Sequence, residues 1–156
     1  DRLIDRLAKQ TGKPATSSIL GVVAACKHLG LRNVAVANKW RPDMNKVLGE
    51  FFTREGIAIA GVSSEIMGPE RFQKMGIEAS FDLAWELGNQ AFERFPDADA
   101  VYIGGGAWMV MPLVTELEQK FGKPVICNQN AMMWNTLHLV DFWKPIEGQG
   151  RLLASA

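Results

Sequence analysis

Residues 101–108 read VYIGGGAW, and this stretch decides the fold. Val101, Tyr102 and Ile103 are β-formers. They follow a polar turn, Pro96, Asp97, Ala98 and Asp99, and run straight into Gly104, Gly105 and Gly106. Pro112 then opens a helical stretch. A buried strand ending in glycines just ahead of a helix is where α/β proteins bring backbone N–H groups up to a ligand. Residues without a β-carbon let the main chain approach an anion closely. Three glycines in a row also suit a tight strand-to-helix turn that binds nothing.

Outward from this stretch, short apolar runs alternate with helical patterns. Residues 34–37 (VAVA), 57–62, 100–103 and 124–127 read as strands. Continuous apolar runs of this kind fit a parallel sheet covered on both faces. The 3.6-residue period predicts helices over 1–10, 19–29, 44–55, 81–95, 113–121 and 131–140, with a shorter one over 70–75. Thr16, Ser17 and Ser18, then Asp43, then Ser80 are the expected helix starts. Val47, Leu48, Phe51 and Phe52 are expected to face inward from the 44–55 helix, and Leu83, Ala84, Leu87, Ala91 and Phe95 from the 81–95 helix. Leu3, Ile4, Leu7 and Ala8 form the apolar stripe of the first helix, which Gly12 and Pro14 end. Residues 128–130 (NQN) read as a loop, and 141–156 as an irregular tail. The expected architecture is α/β: a four-stranded parallel sheet with right-handed crossovers and helices on both faces. The expected division is a linking helix over 1–15, an α/β lobe over 16–130, and a closing helix with a tail over 131–156.

Composition narrows the function. Seventeen basic residues balance seventeen acidic ones, which removes the electrostatic footprint of a nucleic-acid or anionic-membrane binder. No apolar run is long enough to span a bilayer. Cys26 and Cys127 are far apart in an α/β pattern, so a reducing, cytoplasmic setting is expected. The two histidines, His28 and His138, have no metal-ligand spacing, and neither a metal nor another cofactor is expected.

Ligands of open α/β sheets bind outside the carboxyl ends of the strands. The loops there hold Asn38, Trp40, Ser63, Ser64, the glycine amides, Asn128, Gln129 and Asn130, with Lys39 and Arg41 as cations and Glu65 as the acid. Neutral donors beside apolar surface suit a small anionic ligand. These loops hold no Asp–His or Cys–His pair from which to assemble a nucleophile and its base. Cys26 lies on a core stripe and reads as an inert thiol, while Cys127 ends a buried strand near the site edge.

Five segments together resemble the aspartate/glutamate racemase superfamily, and within it the arylmalonate decarboxylase and maleate cis–trans isomerase branch. They are TGKPATSS (11–18), LGLRNVAVANKW (29–40) with PDMN (42–45), DADAVYIGGG (97–106) and ELEQKFGKPVICNQNAMMW (116–134). The resemblance implies a two-lobed racemase-like fold of which this chain supplies the second lobe and its flanking elements, with a first lobe outside it. It implies a cofactor-independent lyase or isomerase acting on a small mono- or dicarboxylic acid through an enediolate-type intermediate held by neutral donors. The family's cysteine after this strand aligns with Gly105, so the usual thiol is absent. Trp40 aligns with a carboxylate-binding tyrosine, and Gly106 with a glycine whose amide joins the oxyanion hole. Asn38 and Asn128 fall among the substrate-binding loops, and Ile66, Pro69 and Phe72 where the family places an apolar wall. A catalytically silent carboxylate-binding relative and a plain interaction domain are the alternatives. Either a first lobe or a second copy is expected to cover the stripe of the first helix.

Overall fold

The alternation of strands and helices is realised in a computed structural model, which describes residues 2–156. Asp1, the first residue of the expected opening helix, lies outside the described residues. The elements run α1 (Arg2–Thr11), α2 (Ser18–His28), β1 (Asn33–Asn38), α3 (Pro42–Arg54), β2 (Ala58–Ser64), α4 (Pro69–Gln73) and α5 (Ile77–Arg94). They continue as β3 (Ala100–Ile103), α6 (Met111–Phe121), β4 (Val125–Cys127), α7 (Asn128–Leu139) and α8 (Arg151–Ala154). The four strands pair in the order β2-β1-β3-β4, all parallel, as expected.

Alternation along the strands divides the core into two layers. Val34, Val36, Ala100, Tyr102 and Ile126 pack with Val22, Cys26, Phe52 and Trp134 on the side of α2, α3 and α7. Ala35, Ala37, Val101, Ile103 and Cys127 pack with Leu83, Leu87, Val114 and Leu117 on the side of α5 and α6. Helices therefore cover both faces, and the buried strands carry apolar side chains both ways. The amino ends of β1 and β3 are tied together. The Asp99 carboxylate accepts from the Arg32 and Asn33 amides, both at 2.8 Å.

Strand order creates the site. The chain leaves β1 for β2 on one side, then returns to place β3 on the other. That reversal is a topological switch point, and it opens a crevice between the carboxyl ends of β1 and β3.

Several local expectations are corrected. Helix α3 is not capped by Asp43: Arg41 is the N-cap and Pro42 fills the first turn, where a missing N–H costs nothing. Asp43 instead sits inside that turn and pairs with Arg41 at 3.0 Å. Val47 is 57% exposed, so the inward face of α3 is narrower than its pattern suggested. Helix α5 starts at Ile77 behind Gly76, and Ser80 lies within its first turn, donating its amide to the Gly76 carbonyl. No breaker stands between Gly76 and Ser80, so the amphipathic helix extends back to the glycine. Residues 128–130 form no loop. They are the first turn of α7, because Cys127 and Asn130 cap it reciprocally: the Asn130 amide donates to the Cys127 sulfur, and the Cys127 amide donates to Asn130 Oδ1 at 2.9 Å.

The expected irregular tail ends in a helix that completes the core. Leu152 and Leu153 of α8 are buried with the α2 and α7 layer. The buried Glu118 carboxylate joins α6 to both neighbours, accepting from the Val125 amide at 2.9 Å and the Arg151 amide at 2.8 Å. Leu153→Ala is therefore expected to cost about 2–5 kcal/mol, the usual range for a leucine removed from a closed core. Urea unfolding checks this; a loss near zero would return the last residues to the status of a tail.

Candidate functional site

The floor of the crevice is the glycine turn after β3. At Gly104 a β-carbon would lie 3.2 Å from both the Trp40 and the Tyr102 rings, so the two aromatic groups close over bare backbone. Gly105 has φ +128°, a conformation L side chains rarely adopt. Its amide donates to Asn128 Oδ1 at 2.8 Å. The same oxygen accepts from the Tyr102 hydroxyl at 3.1 Å, and Asn128 Nδ2 donates to Ser18 Oγ. One asparagine thus joins the glycine turn, the sheet and the start of α2. Burial raises the Tyr102 pKa, with the Asn128 hydrogen bond opposing it. The phenol stays a neutral donor.

Gly106 is exposed. Its carbonyl accepts from Gln129 Nε2 at 3.2 Å, while its amide meets no hydrogen-bond partner among the described residues. It borders a hollow of about 610 Å³ with Asn128, Gln129, Met132, Met133 and Leu137. A second hollow of about 440 Å³ runs from Tyr102, Asn128 and Trp40 past Ser18 to Met44 and Phe51.

The wall after β1 is built from below. Asn38 is fully buried and engaged at both ends of its amide. Nδ2 donates to Asn45 at 2.6 Å, and Oδ1 accepts the Trp40 amide at 3.0 Å. The Trp40 carbonyl accepts from Asn45 at 3.3 Å and from Ser64 at 2.9 Å. Asn38 thereby holds the turn that carries the indole. Lys39 points the other way, with only 8% of its surface exposed. Its Nζ lies 3.1 Å from the centroid of Phe72 and 4.3 Å from that of Trp108. Burial lowers its pKa to about 7.

Trp40, the glycine turn and Asn128 thus come together. The three apolar wall positions separate. Ile66 is exposed and borders a different hollow of about 370 Å³ with Trp40, Val62 and Arg94. Pro69 is exposed at the start of α4, and Phe72 lies against Lys39. Tyr102, Ser18 and Trp108 were missed as site residues. Tyr102 carried a signal: a tyrosine inside an aliphatic buried strand needs a partner for its hydroxyl. Cys26 and Cys127 are free thiols in opposite layers of the core, raised by burial to about 12 and about 11. Among the described residues no group of three or more His, Cys, Asp or Glu could hold a metal ion, and no helix is long and apolar enough to cross a membrane.

A parallel lobe with a glycine-floored crevice at its switch point defines the class, an α/β lobe of the racemase-like type. The arylmalonate decarboxylase family model matches residues 1–153, and the chain belongs to that family. It is 29% identical over 148 residues to the arylmalonate decarboxylase of Bordetella bronchiseptica, covering 94% of this chain and 60% of that one. The chain thus spans 60% of the length of this curated relative. A crystal structure of arylmalonate decarboxylase superposes with TM-score 0.86 at 27% identity, over 99% of this chain and 67% of the other. The maleate isomerase of Pseudomonas putida shares the fold, with TM-score 0.85 at 20% identity over 97% of this chain and 62% of the isomerase.

Proposed function

We propose that the switch-point crevice binds a small mono- or dicarboxylic acid and takes part in a cofactor-independent lyase or isomerase reaction. The unpartnered Gly106 amide carries this reading. It sits beside a glycine turn that Asn128 holds rigid, so it is free to meet an oxyanion. Trp40 stands at the carboxylate-binding position with a donor-only indole. Enolate charge would be met by neutral donors fixed before the ligand arrives, with no reorganisation during the reaction. Asn38 serves as a positioning residue, through its hold on the Trp40 turn. Ile66, Pro69 and Phe72 are assigned by the same reading to the apolar side of the ligand.

Gly105 offers no thiol, and this favours a second reading, a carboxylate-binding relative without turnover. Amide NMR with phenylmalonate separates the possibilities. Shifts confined to Gly105, Gly106 and the Trp40 indole, with product formed, support the enzyme; the same shifts without product support the silent binder. Shifts at none of these residues would leave an interaction domain. In either binding reading we place the protein in a reducing, cytoplasmic setting. We also place the exposed Leu3 and Leu7 of α1 against a first lobe or a second copy, which sedimentation of the full chain would detect.

A further inference from the structure

Lys39 has no task in the reading above. It follows β1 directly at the switch point, and its side chain turns into the protein. Among the described residues its ammonium makes no ion pair and no hydrogen bond; it rests on the faces of Phe72 and Trp108. A buried ammonium with no counter-ion is unfavourable, and an aromatic face is a weaker partner than a carboxylate. Trp108 carries a matching deficit. It is 1% exposed, and its Nε1 is buried without an acceptor. That nitrogen lies 3.6 Å from where a Gly105 β-carbon would sit. An N–H donor without an acceptor therefore abuts the glycine turn, and an unpaired buried cation rests on the same indole.

We propose that Lys39 is the charged anchor of the crevice, pairing with one carboxylate of the ligand while Trp108 Nε1 stands by as a neighbouring donor. The proposal rests on the carboxylate-binding reading and adds a cation to a site otherwise built of neutral donors. Phe72 holds the ammonium until the anion takes its place.

The pH dependence follows. The groups facing the ammonium from α4 and from the turn after β3 are the uncharged rings of Phe72 and Trp108. Glu65 and Arg71, which flank α4, are paired with each other at 2.8 Å. Burial holds Lys39 near 7, and a bound anion raises it again, so binding takes up a proton above that pH. Affinity is full below about 7 and falls as the pH rises through and beyond it.

The test is calorimetry of phenylmalonate with the full chain, as wild type, Lys39→Met and Lys39→Arg. Titrations run about one unit below and about two units above the Lys39 midpoint of about 7. Methionine keeps the unbranched stem, and urea unfolding verifies that the variant is folded. We expect Lys39→Met to weaken binding by at least about tenfold at the lower pH and to flatten the pH dependence. Lys39→Arg should keep most of the affinity and lose the pH dependence, since guanidinium does not titrate there. Wild-type binding that Lys39→Met changes by less than about twofold would overturn the anchor and leave the carboxylate site standing. If phenylmalonate does not bind the wild type at all, both fall.

Discussion

Gly105→Cys should raise turnover of a small carboxylate by at least about a hundredfold over wild type in the full chain, and Gly105→Ala should not. The position lies at the crevice floor, with its amide fixed by Asn128 at 2.8 Å. A side chain there would point toward the indole edge of Trp108, with a β-carbon 3.5 Å from Cδ1. A thiol at that place has a proton to give an enediolate, and neighbouring amide dipoles with the Lys39 cation stabilise the thiolate left behind until solvent reprotonates it. The backbone opposes the change. At φ +128° a β-carbon is strained, and about 1–3 kcal/mol of stability should be lost by both variants. Gly105→Ala carries that strain without the thiol, so comparing the two separates chemistry from damage. Phenylmalonate, maleate and aspartate are the substrates to assay. Iodoacetamide adds a second readout. Cys26 and Cys127 are fully buried with raised pKa values, so native wild type should resist alkylation while the new thiol reacts. Loss of wild-type turnover on alkylating Cys127 would move the chemistry to the end of β4.

Asn128→Ala should cost about 3–5 kcal/mol and abolish carboxylate binding together. The side chain satisfies the Tyr102 hydroxyl and the Gly105 amide and donates to Ser18. Truncation leaves a completely buried phenol and a backbone N–H without an acceptor, each worth about 1–3 kcal/mol, and Ser18 without its donor. The glycine turn would also lose its tether, and with it the aim of the Gly106 amide. Asn128→Asp should be milder, since a carboxylate accepts from all three groups. Urea unfolding with phenylmalonate calorimetry measures both effects. A variant within about 1 kcal/mol of wild type that still binds would show that water replaces the amide.

The parallel sheet and the helices between its strands were legible because buried β-branched runs and 3.6-residue patterns are strong signals. Helix starts were less so. Ser80 and Asp43 are residue types that cap helices, yet Gly76 and Pro42 set the starts, because amphipathic patterning and proline geometry outweighed one side-chain hydrogen bond. The reciprocal cap of Cys127 and Asn130 was invisible because cysteine is an unusual cap residue. Leu152 and Leu153 form too short a run to show a period, and only their tertiary burial makes them core. The glycine turn and Trp40 were read as a site from strand ends together with the family resemblance. Lys39 looked like one loop cation among two; its burial between two rings depends on α4 and on Trp108, far away in sequence.

The clamp of Asp99 on the two amides at the amino end of β1 acts as an index mark for the whole crevice. It fixes β1 and β3 in phase at their amino ends, so Ala37 stands opposite Ile103 at the other end and the Gly104 amide meets the Ala37 carbonyl at 2.8 Å. Chain length between the mark and the site is therefore counted. One residue removed after Asp99 would swing Tyr102 into the opposite layer and unthread the hydroxyl from Asn128. The turn ahead of Asp99 is itself held, since Lys123 Nζ donates to the Pro96 and Ala98 carbonyls and Ala98 is buried in the core.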